Sequence, residues 1–279
     1  MKKSIYIAVI IVIVFVIFML KFYLIRTYNH DMHPIIPKDK YVLVSRVSPD
    51  KISRLDIIAY HFPGMSDKKI RKKPVHLSRL MGMPGDTIEI RNKKVYVNND
   101  YMDKKLYLFY KYRISTDTSF NAEQLKNFNT LHVNEIVHRK AWELYTSPQE
   151  VNEIKELNGV THARMLSDLS RNKDYEIFPN SRYFNWNKDY FGPLVIPEAG
   201  KNIHINYMNI SLYERMIDVY EDRELFVKYR KIYIDGKEAT TYTPAQDYYF
   251  VVDDNRDDCN DARHWGFLPA DHIAGKKTF

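Results

Sequence analysis

Thr87-Ile88-Glu89-Ile90-Arg91, then Asn92-Lys93-Lys94, then Val95-Tyr96-Val97-Asn98 reads as a β-hairpin: two β-rich runs joined by a short polar connection. Tyr41-Val42-Leu43-Val44 and Asp56-Ile57-Ile58-Ala59-Tyr60 upstream are further strands bounded by turn formers. Late in the chain, Lys231–Ile234 and Glu238–Tyr242 flank Asp235-Gly236, a strong hairpin turn because glycine tolerates positive φ. With 22 tyrosines and only 9 glycines in 279 residues, composition favours strands over helices.

Between these β-rich halves, residues 105–230 differ. Ser147-Pro148-Gln149-Glu150 sets an N-cap serine, a proline at N1 and a glutamate at N3, the signature of a helix start. Ser211-Leu212-Tyr213-Glu214 repeats the capping box without the proline. Pro179, Pro193 and Pro197 mark loops around Trp186 and Phe191. A large insertion between two parts of one β core is the expected organisation, with a separately folding second domain as the alternative.

From Ser4 to Ile25 the chain is apolar except for Lys21, long enough for the roughly 20 residues a membrane-spanning helix needs. Lys21 can snorkel to the headgroups. A cleaved signal peptide would have a shorter apolar region and a small-residue cleavage site, whereas Arg26-Thr27-Tyr28-Asn29-His30 follows here. A retained anchor over residues 1–25 is therefore expected. Lys2 and Lys3 on one side and Lys21 and Arg26 on the other leave the positive-inside rule nearly balanced.

The net charge of +7 suits an anionic membrane surface. No zinc-ligand cluster or RNA-binding signature accompanies it, so no nucleic-acid partner is expected. The basic run Lys68, Lys69, Arg71, Lys72 and Lys73 reads as a solvated loop. The single cysteine, Cys259, excludes an internal disulfide.

Gly82-Met83-Pro84-Gly85-Asp86 with the hairpin that follows resembles the box after the catalytic lysine in type I signal peptidases. Asp254-Asn255-Arg256, Asn260-Asp261-Ala262-Arg263 and Trp265-Gly266-Phe267-Leu268-Pro269 resemble that family's C-terminal box, and Asp31-Met32-His33-Pro34 stands where it has Ser-Met-x-Pro. The three occur in family order behind an anchor. Phe191-Gly192-Pro193 and Tyr213-Glu214-Arg215 further resemble the long-insertion form of Bacteroidetes-type bacteria. The resemblance implies a mainly β protein: a signal peptidase I-like twisted antiparallel β core with an inserted α+β region, preceded by one transmembrane helix. The expected divisions are 1–25 anchor, 26–104 first half of the core, 105–230 insertion and 231–279 second half. It also implies the inner (cytoplasmic) membrane, a single pass and an extracytoplasmic C-terminal domain.

Chemistry in that family uses a serine nucleophile and a neutral lysine base, a lysine that burial keeps deprotonated. The serine's position here is Asp31, fixed by Met32 and Pro34; the lysine's is Ser78, fixed by Arg79 and Gly82. Both are substituted. A carboxylate at position 31 is ionised near neutral pH unless desolvated, and it would repel a developing oxyanion. In the C-terminal box, Asp253 replaces a glycine, Cys259 the serine that supports the lysine, and Ala262 a further small hydroxyl residue. The resemblance gives Asp254, Asn255, Cys259, Asp261 and Arg263 a structural, supporting role, with Asp261 and Arg263 as an ion pair. Other chemistries have weaker support. An aspartyl dyad would pair Asp31 with Asp254 or Asp261. A metal on Asp31, His30 and His33 lacks a fourth ligand, and those histidines read as solvent-facing or interfacial. No metal or cofactor is expected. The expected function is thus that of a catalytically inactive signal peptidase-like membrane protein, in contact with membrane lipid, that binds signal peptides of preproteins or partners an active signal peptidase. An active enzyme with a non-standard site is the alternative.

Overall fold

A computed structural model of the chain describes residues 2–65, 68–136 and 140–278, without the side chains of residues 2–5 and 8. Helix α1 (Lys2–Lys21) is followed at once by strand β1 (Phe22–Arg26). The apolar run thus divides at Lys21: Phe22–Ile25, expected to continue the helix, pair antiparallel with strand β2 (Tyr41–Ser45), Phe22 opposite Ser45 and Arg26 opposite Tyr41. The physical reason is a stop at the helix end, where Arg46 Nη1 donates to the carbonyls of Met19, Leu20 and Phe22 at 3.0, 3.2 and 3.0 Å. A guanidinium there satisfies orphan carbonyls and suits the negative end of the helix dipole. Among the described residues no helix is long and apolar enough to cross a membrane; residues 4, 5 and 8 of the apolar run lie outside the described side chains.

The main sheet has seven strands, ordered β1, β2, Ile273–Lys277, β3 (Ile57–His61), β4 (Val75–Gly82), Tyr248–Val252 and Leu268–Pro269. Strands far apart in the chain are neighbours, so the N- and C-terminal halves close one core. Strand β4 pairs with β3 from Val75 to Arg79 but with Tyr248–Val252 only from Arg79 to Gly82. One edge of Val75–Ser78 is therefore left without a strand partner. A second sheet carries the expected hairpin, β5 (Thr87–Arg91) and β6 (Lys94–Val97), with Asn92 and Lys93 at positive φ in its turn. At Gly82 a Cβ would fall 2.1 Å from Ile196 Cδ1 and 3.2 Å from Phe250 Cβ, so a larger residue would push Ile196 aside. Next to it Asp86 closes the turn through Gly85, accepting from the Met83 N–H at 2.6 Å and from Arg54 Nη1 at 2.9 Å.

Strands Tyr110–Thr116, Leu131–Ile136, Ala141–Thr146 and Val160–Met165 form a separate four-stranded sheet. It has its own apolar cluster, including Leu108, Ile114, Leu144 and Ile154. Helix Pro148–Ile154 begins as read, with the Ser147 side chain accepting from the Glu150 N–H. Residues 177–217 pack differently, with Phe191, Leu194, Ile210 and Met216 belonging to the main core and Tyr190–Val195 pairing with β5. Pro193 sits inside that strand at a register shift between Phe191 and Leu194, not in a loop; a bulge tolerates a missing N–H. The second helix starts at Ile210, so Ser211 is internal and its buried Oγ has no partner among the described residues. The Asn206 carboxamide turns the chain early, accepting from the Met208 and Asn209 N–H groups at 2.9 and 3.2 Å. Lys73 leaves the basic run for the interior, 7% exposed, with Nζ 3.1 Å from His272 Nε2.

A buried charge network ties the parts together. Lys93, in the turn between β5 and β6, donates to Asp189 at 2.7 Å and to Asp257 of the C-terminal segment at 2.6 Å. We expect Lys93→Met to destabilise the protein by about 3–5 kcal/mol, since it strands two buried carboxylates. Denaturant unfolding checks this; a loss within 1 kcal/mol would show that Lys188, 3.2 Å from Asp257, compensates.

Candidate functional site

Asp31 opens the turn after β1, which buries Met32 and Ile36 against Val42, Val44, Ile57 and Leu77. That packing holds the turn on the sheet and leaves Asp31 half-buried above it. Its backbone carbonyl accepts the Asn255 N–H at 2.9 Å, and the Asn255 side chain donates to the His30 carbonyl at 3.2 Å. Ser78 lies on β4, 1% exposed, with its hydroxyl 2.9 Å from the Tyr60 hydroxyl on β3. Beside it, Arg79 Nε donates to Asp254 at 2.7 Å, which locks β4 to the C-terminal segment. Asp254 and Asn255 thus act as clamps on the two motif positions.

Asp261 is bound by Arg263, with Nε 2.9 Å from Oδ1 and Nη2 2.8 Å from Oδ2, and it also accepts the Asp253 N–H at 2.9 Å. Burial alone would raise its carboxyl, but Arg263 holds it well below the ordinary range. Cys259 is half-buried, with Sγ 2.8 Å from Arg263 Nη2; burial pushes its thiol well up. An aspartyl dyad with Asp254 or Asp261 is therefore closed off, because each carboxylate is neutralised by its own arginine.

Asp253 was read from the sequence only as a departure from glycine, and it is the residue that changes the site most. It is 1% exposed, and its Oδ1 has no hydrogen-bond partner among the described residues. Burial, then the charges of Asp261 and Asp31, push its carboxyl well above the ordinary range, while the Ser78 hydroxyl and Arg263 pull weakly the other way. Asp31 is pushed up to about 7 by burial and then by Asp261 and Asp258, against a hydrogen bond from Asn29. Asp31, Ser78, Asp253, Cys259 and Asp261 thus form one cluster at the sheet edge, with Asp253 in electrostatic reach of Asp31, Asp261 and Ser78 alike. The signal that could have found Asp253 is an acid at a position whose family residue carries no side chain.

Donor atoms of Asp253, Cys259 and Asp261 lie within 4.8 Å of one another, a spacing a metal could bridge. Arg263 already engages both oxygens of Asp261 and the sulfur of Cys259, so the positive charge there is a guanidinium. His33 does not face solvent as expected: it is 8% exposed, packed on Phe109 at 4.9 Å between centroids, with Nε2 3.0 Å from Asn129. His30 packs edge-on to His132 at 5.3 Å. These histidines join the turn to the insertion's sheet.

A groove of about 550 Å3 runs along β1 and the unpaired edge of β4, lined by Tyr23–Asn29 and Pro74–Leu77 and floored by Met32 and Ile36. Its lining includes Leu77, which precedes Ser78, and Asn29, whose carboxamide donates to the Asp31 carboxylate.

A family model described as signal peptidase, peptidase S26, matches residues 1–144 and 196–279. Among curated proteins, Signal peptidase I of Buchnera aphidicola subsp. Schizaphis graminum is 21% identical over 277 residues, covering 95% of this chain and 70% of that protein. Its counterpart from Buchnera aphidicola subsp. Baizongia pistaciae is 23% identical over 259 residues, covering 90% and 66%. Signal peptidase I of Haemophilus influenzae is 28% identical over 144 residues, covering 46% of this chain and 38% of that protein. The chain thus spans about two thirds of the length of the two Buchnera proteins.

The pH dependence of stability follows from Asp31. Its ordinary value is 3.8 and its folded value about 7, so between these the folded state binds a proton that the unfolded state has lost. The cost of the charge is absent below pH 4 and fully present above pH 7. We expect Asp31→Asn to gain stability over the unmodified protein as pH rises through this window, by up to about 1.4 kcal/mol per pH unit. Paired denaturation curves at pH 5 and 8 measure it; a constant offset would mean that Asp31 titrates normally.

Proposed function

Because the chain belongs to the signal peptidase family, peptidase S26, we propose that it is a signal peptidase-like protein that binds extended peptide segments in the β1–β4 groove without cleaving them by serine–lysine chemistry. The observation that carries this reading is the buried Ser78 hydroxyl at the base position, 1% exposed and 2.9 Å from the Tyr60 hydroxyl. The base position holds a hydroxyl set against a buried acid, and the cation that contacts this cluster is Arg263, which does not deprotonate in proteins. At the nucleophile position a carboxyl replaces the hydroxyl. Two unpaired strand edges facing one groove can accept a peptide as an added strand, whose main-chain hydrogen bonds supply affinity. Signal peptides of preproteins are the proposed ligands, and an active signal peptidase the proposed partner.

The same reading makes α1 a retained membrane anchor with the β domain on the extracytoplasmic side. Its support is the exposure of the large apolar side chains from Val9 to Leu20, together with exposed Leu24, Tyr28, Ile35 and Tyr41 near the helix end. Aromatic residues beside Lys21 and Arg46 suit the headgroup level. Protease digestion of sealed vesicles tests it: the C-terminal domain should be accessible from the extracytoplasmic face.

A second reading, a working endopeptidase with Asp31 as an acid–base group, draws on the Asp31 carboxyl at about 7, since catalytic groups are tuned towards the operating pH. Single-turnover cleavage of a preprotein separates the two. The unmodified chain should show none above background, and cleavage that Asp31→Ala abolishes would establish the second reading.

The site also dictates what reversal requires. In Asp31→Ser with Ser78→Lys, the new amine would lie against Asp253 and Asp261, which would keep it protonated and useless as a base. We expect that double variant to remain inactive and the triple variant that adds Asp253→Gly to regain some cleavage. Equal activity of the two would show that Asp253 does not control the base position.

A further inference from the structure

Three histidines meet where the Asp31 turn rests on the separate four-stranded sheet. His30 packs edge-on to His132 at 5.3 Å and to His33 at 6.1 Å between ring centroids, so its ring serves both neighbours. His33 is buried on Phe109, with Nε2 3.0 Å from Asn129 Oδ1. His132, in strand Leu131–Ile136, reaches Asp258 through Nε2 at 2.9 Å and packs on Tyr145 at 5.5 Å. Its backbone has φ 49°, a left-handed conformation that is costly for a residue with a side chain and persists where surrounding contacts impose it.

The inner rings fit this seam only when neutral. The Asn129 carboxamide oxygen accepts, so Nε2 of His33 carries the proton and Nδ1 is the bare nitrogen. The Nδ1 atoms of His30 and His33 are both buried without a partner among the described residues. Charging either ring therefore buries an N–H donor with no acceptor and sets a cation against another imidazole. A charged His132 is paired by Asp258, but among the described residues no carboxylate is hydrogen-bonded to His30 or His33.

We propose that this histidine seam is an acid-released latch: neutral rings hold the Asp31 turn against strand Leu131–Ile136, and charged rings part them. Opening stays local, because the far side of the turn is held by Met32 and Ile36 in the core and by the Asn255 N–H at the Asp31 carbonyl. Asn29 and Met32 also line the groove, so release of the turn alters the groove's shape. The latch stands whether or not the groove binds a peptide.

The sign of the proton effect is set by burial. Burial, then the charges of His132, His33 and Lys38, hold His30 below its ordinary 6.5, against Asp258. Burial holds His33 below it too, against the Asn129 hydrogen bond and Glu150. The closed seam thus binds fewer protons than the open one. Closure is fully present above pH 6.5 and is lost as pH falls below it towards the folded values. The other charged or titratable groups around the seam are Asp31 on the turn, Asp261 behind it, and Tyr145 with Lys111 over its ring. Asp31 has the opposite sign: raised from 3.8 to about 7, it favours the closed turn as pH falls through that window.

Hydrogen–deuterium exchange of the full chain in detergent micelles, corrected for the intrinsic pH dependence of exchange, reads the seam. Asp31→Asn removes the opposing titration and is the reference, followed from pH 7.5 to 5. Protection of peptides 28–36 and 128–133 should fall roughly tenfold or more between pH 6.5 and 5, while the β5–β6 hairpin keeps its protection. Adding His30→Phe and His33→Gln, which retain an aromatic ring and a donor to Asn129, should flatten the profile. If that variant lacks protection already at pH 7.5, His30→Phe alone should give a shallower fall than the reference. A flat profile in Asp31→Asn, an equal fall with and without the histidines, or a parallel loss in the hairpin, which is global unfolding, would overturn the proposal.

Discussion

The Arg79–Asp254 pair, buried and charge-assisted at 2.7 Å, is the joint on which the site depends. Arg79 follows Ser78 on β4, and Asp254 follows Asp253 at the end of Tyr248–Val252, so one ion pair sets the register of both altered positions. Arg79 also donates to the Leu55 carbonyl at 2.7 Å, which extends the joint to the approach to β3. Asn255, the next residue, then holds the Asp31 turn through its backbone and side chain. Breaking a pair of this kind leaves an uncompensated buried charge, so the fold of this segment depends on it.

Asp31, Asp253 and Asp261 give the cluster an acid excess that Arg263 balances only at Asp261. Protons take up the remainder: the Asp253 carboxyl is driven well above its ordinary range, and Asp31 partway. In this site desolvation, with the repulsion of neighbouring acids, keeps carboxyls protonated.

Residues 105–230 contribute to the site at two places. Their strand Tyr190–Val195 extends the β5–β6 sheet and seats Ile196 against Gly82, while their separate sheet brings His132 and Asn129 against the Asp31 turn. The groove lies away from both, between β1 and β4. Its walls are two strand edges that the curl of one sheet turns towards each other, and a polypeptide in extended form would complete their hydrogen bonding.

The residues alone determined the strands, both Gly- or Asn-bearing hairpin turns, the Ser147 helix cap and the family, because each depends on local pattern or on an ordered set of motifs. The Ser211 cap and the Pro193 loop misled, since an Asn206 turn and a strand bulge overrode local preference. The helix end at Lys21 was hidden for a related reason: Phe22–Ile25 is equally apolar in a helix or a strand, and only the pairing offered by β2, with Arg46 closing the helix, decides between them. The protonation of Asp31 and the weight of Asp253 belong wholly to the tertiary structure. A carboxyl's charge is set by what surrounds it, and here the surroundings come from four segments that meet only when the chain is folded.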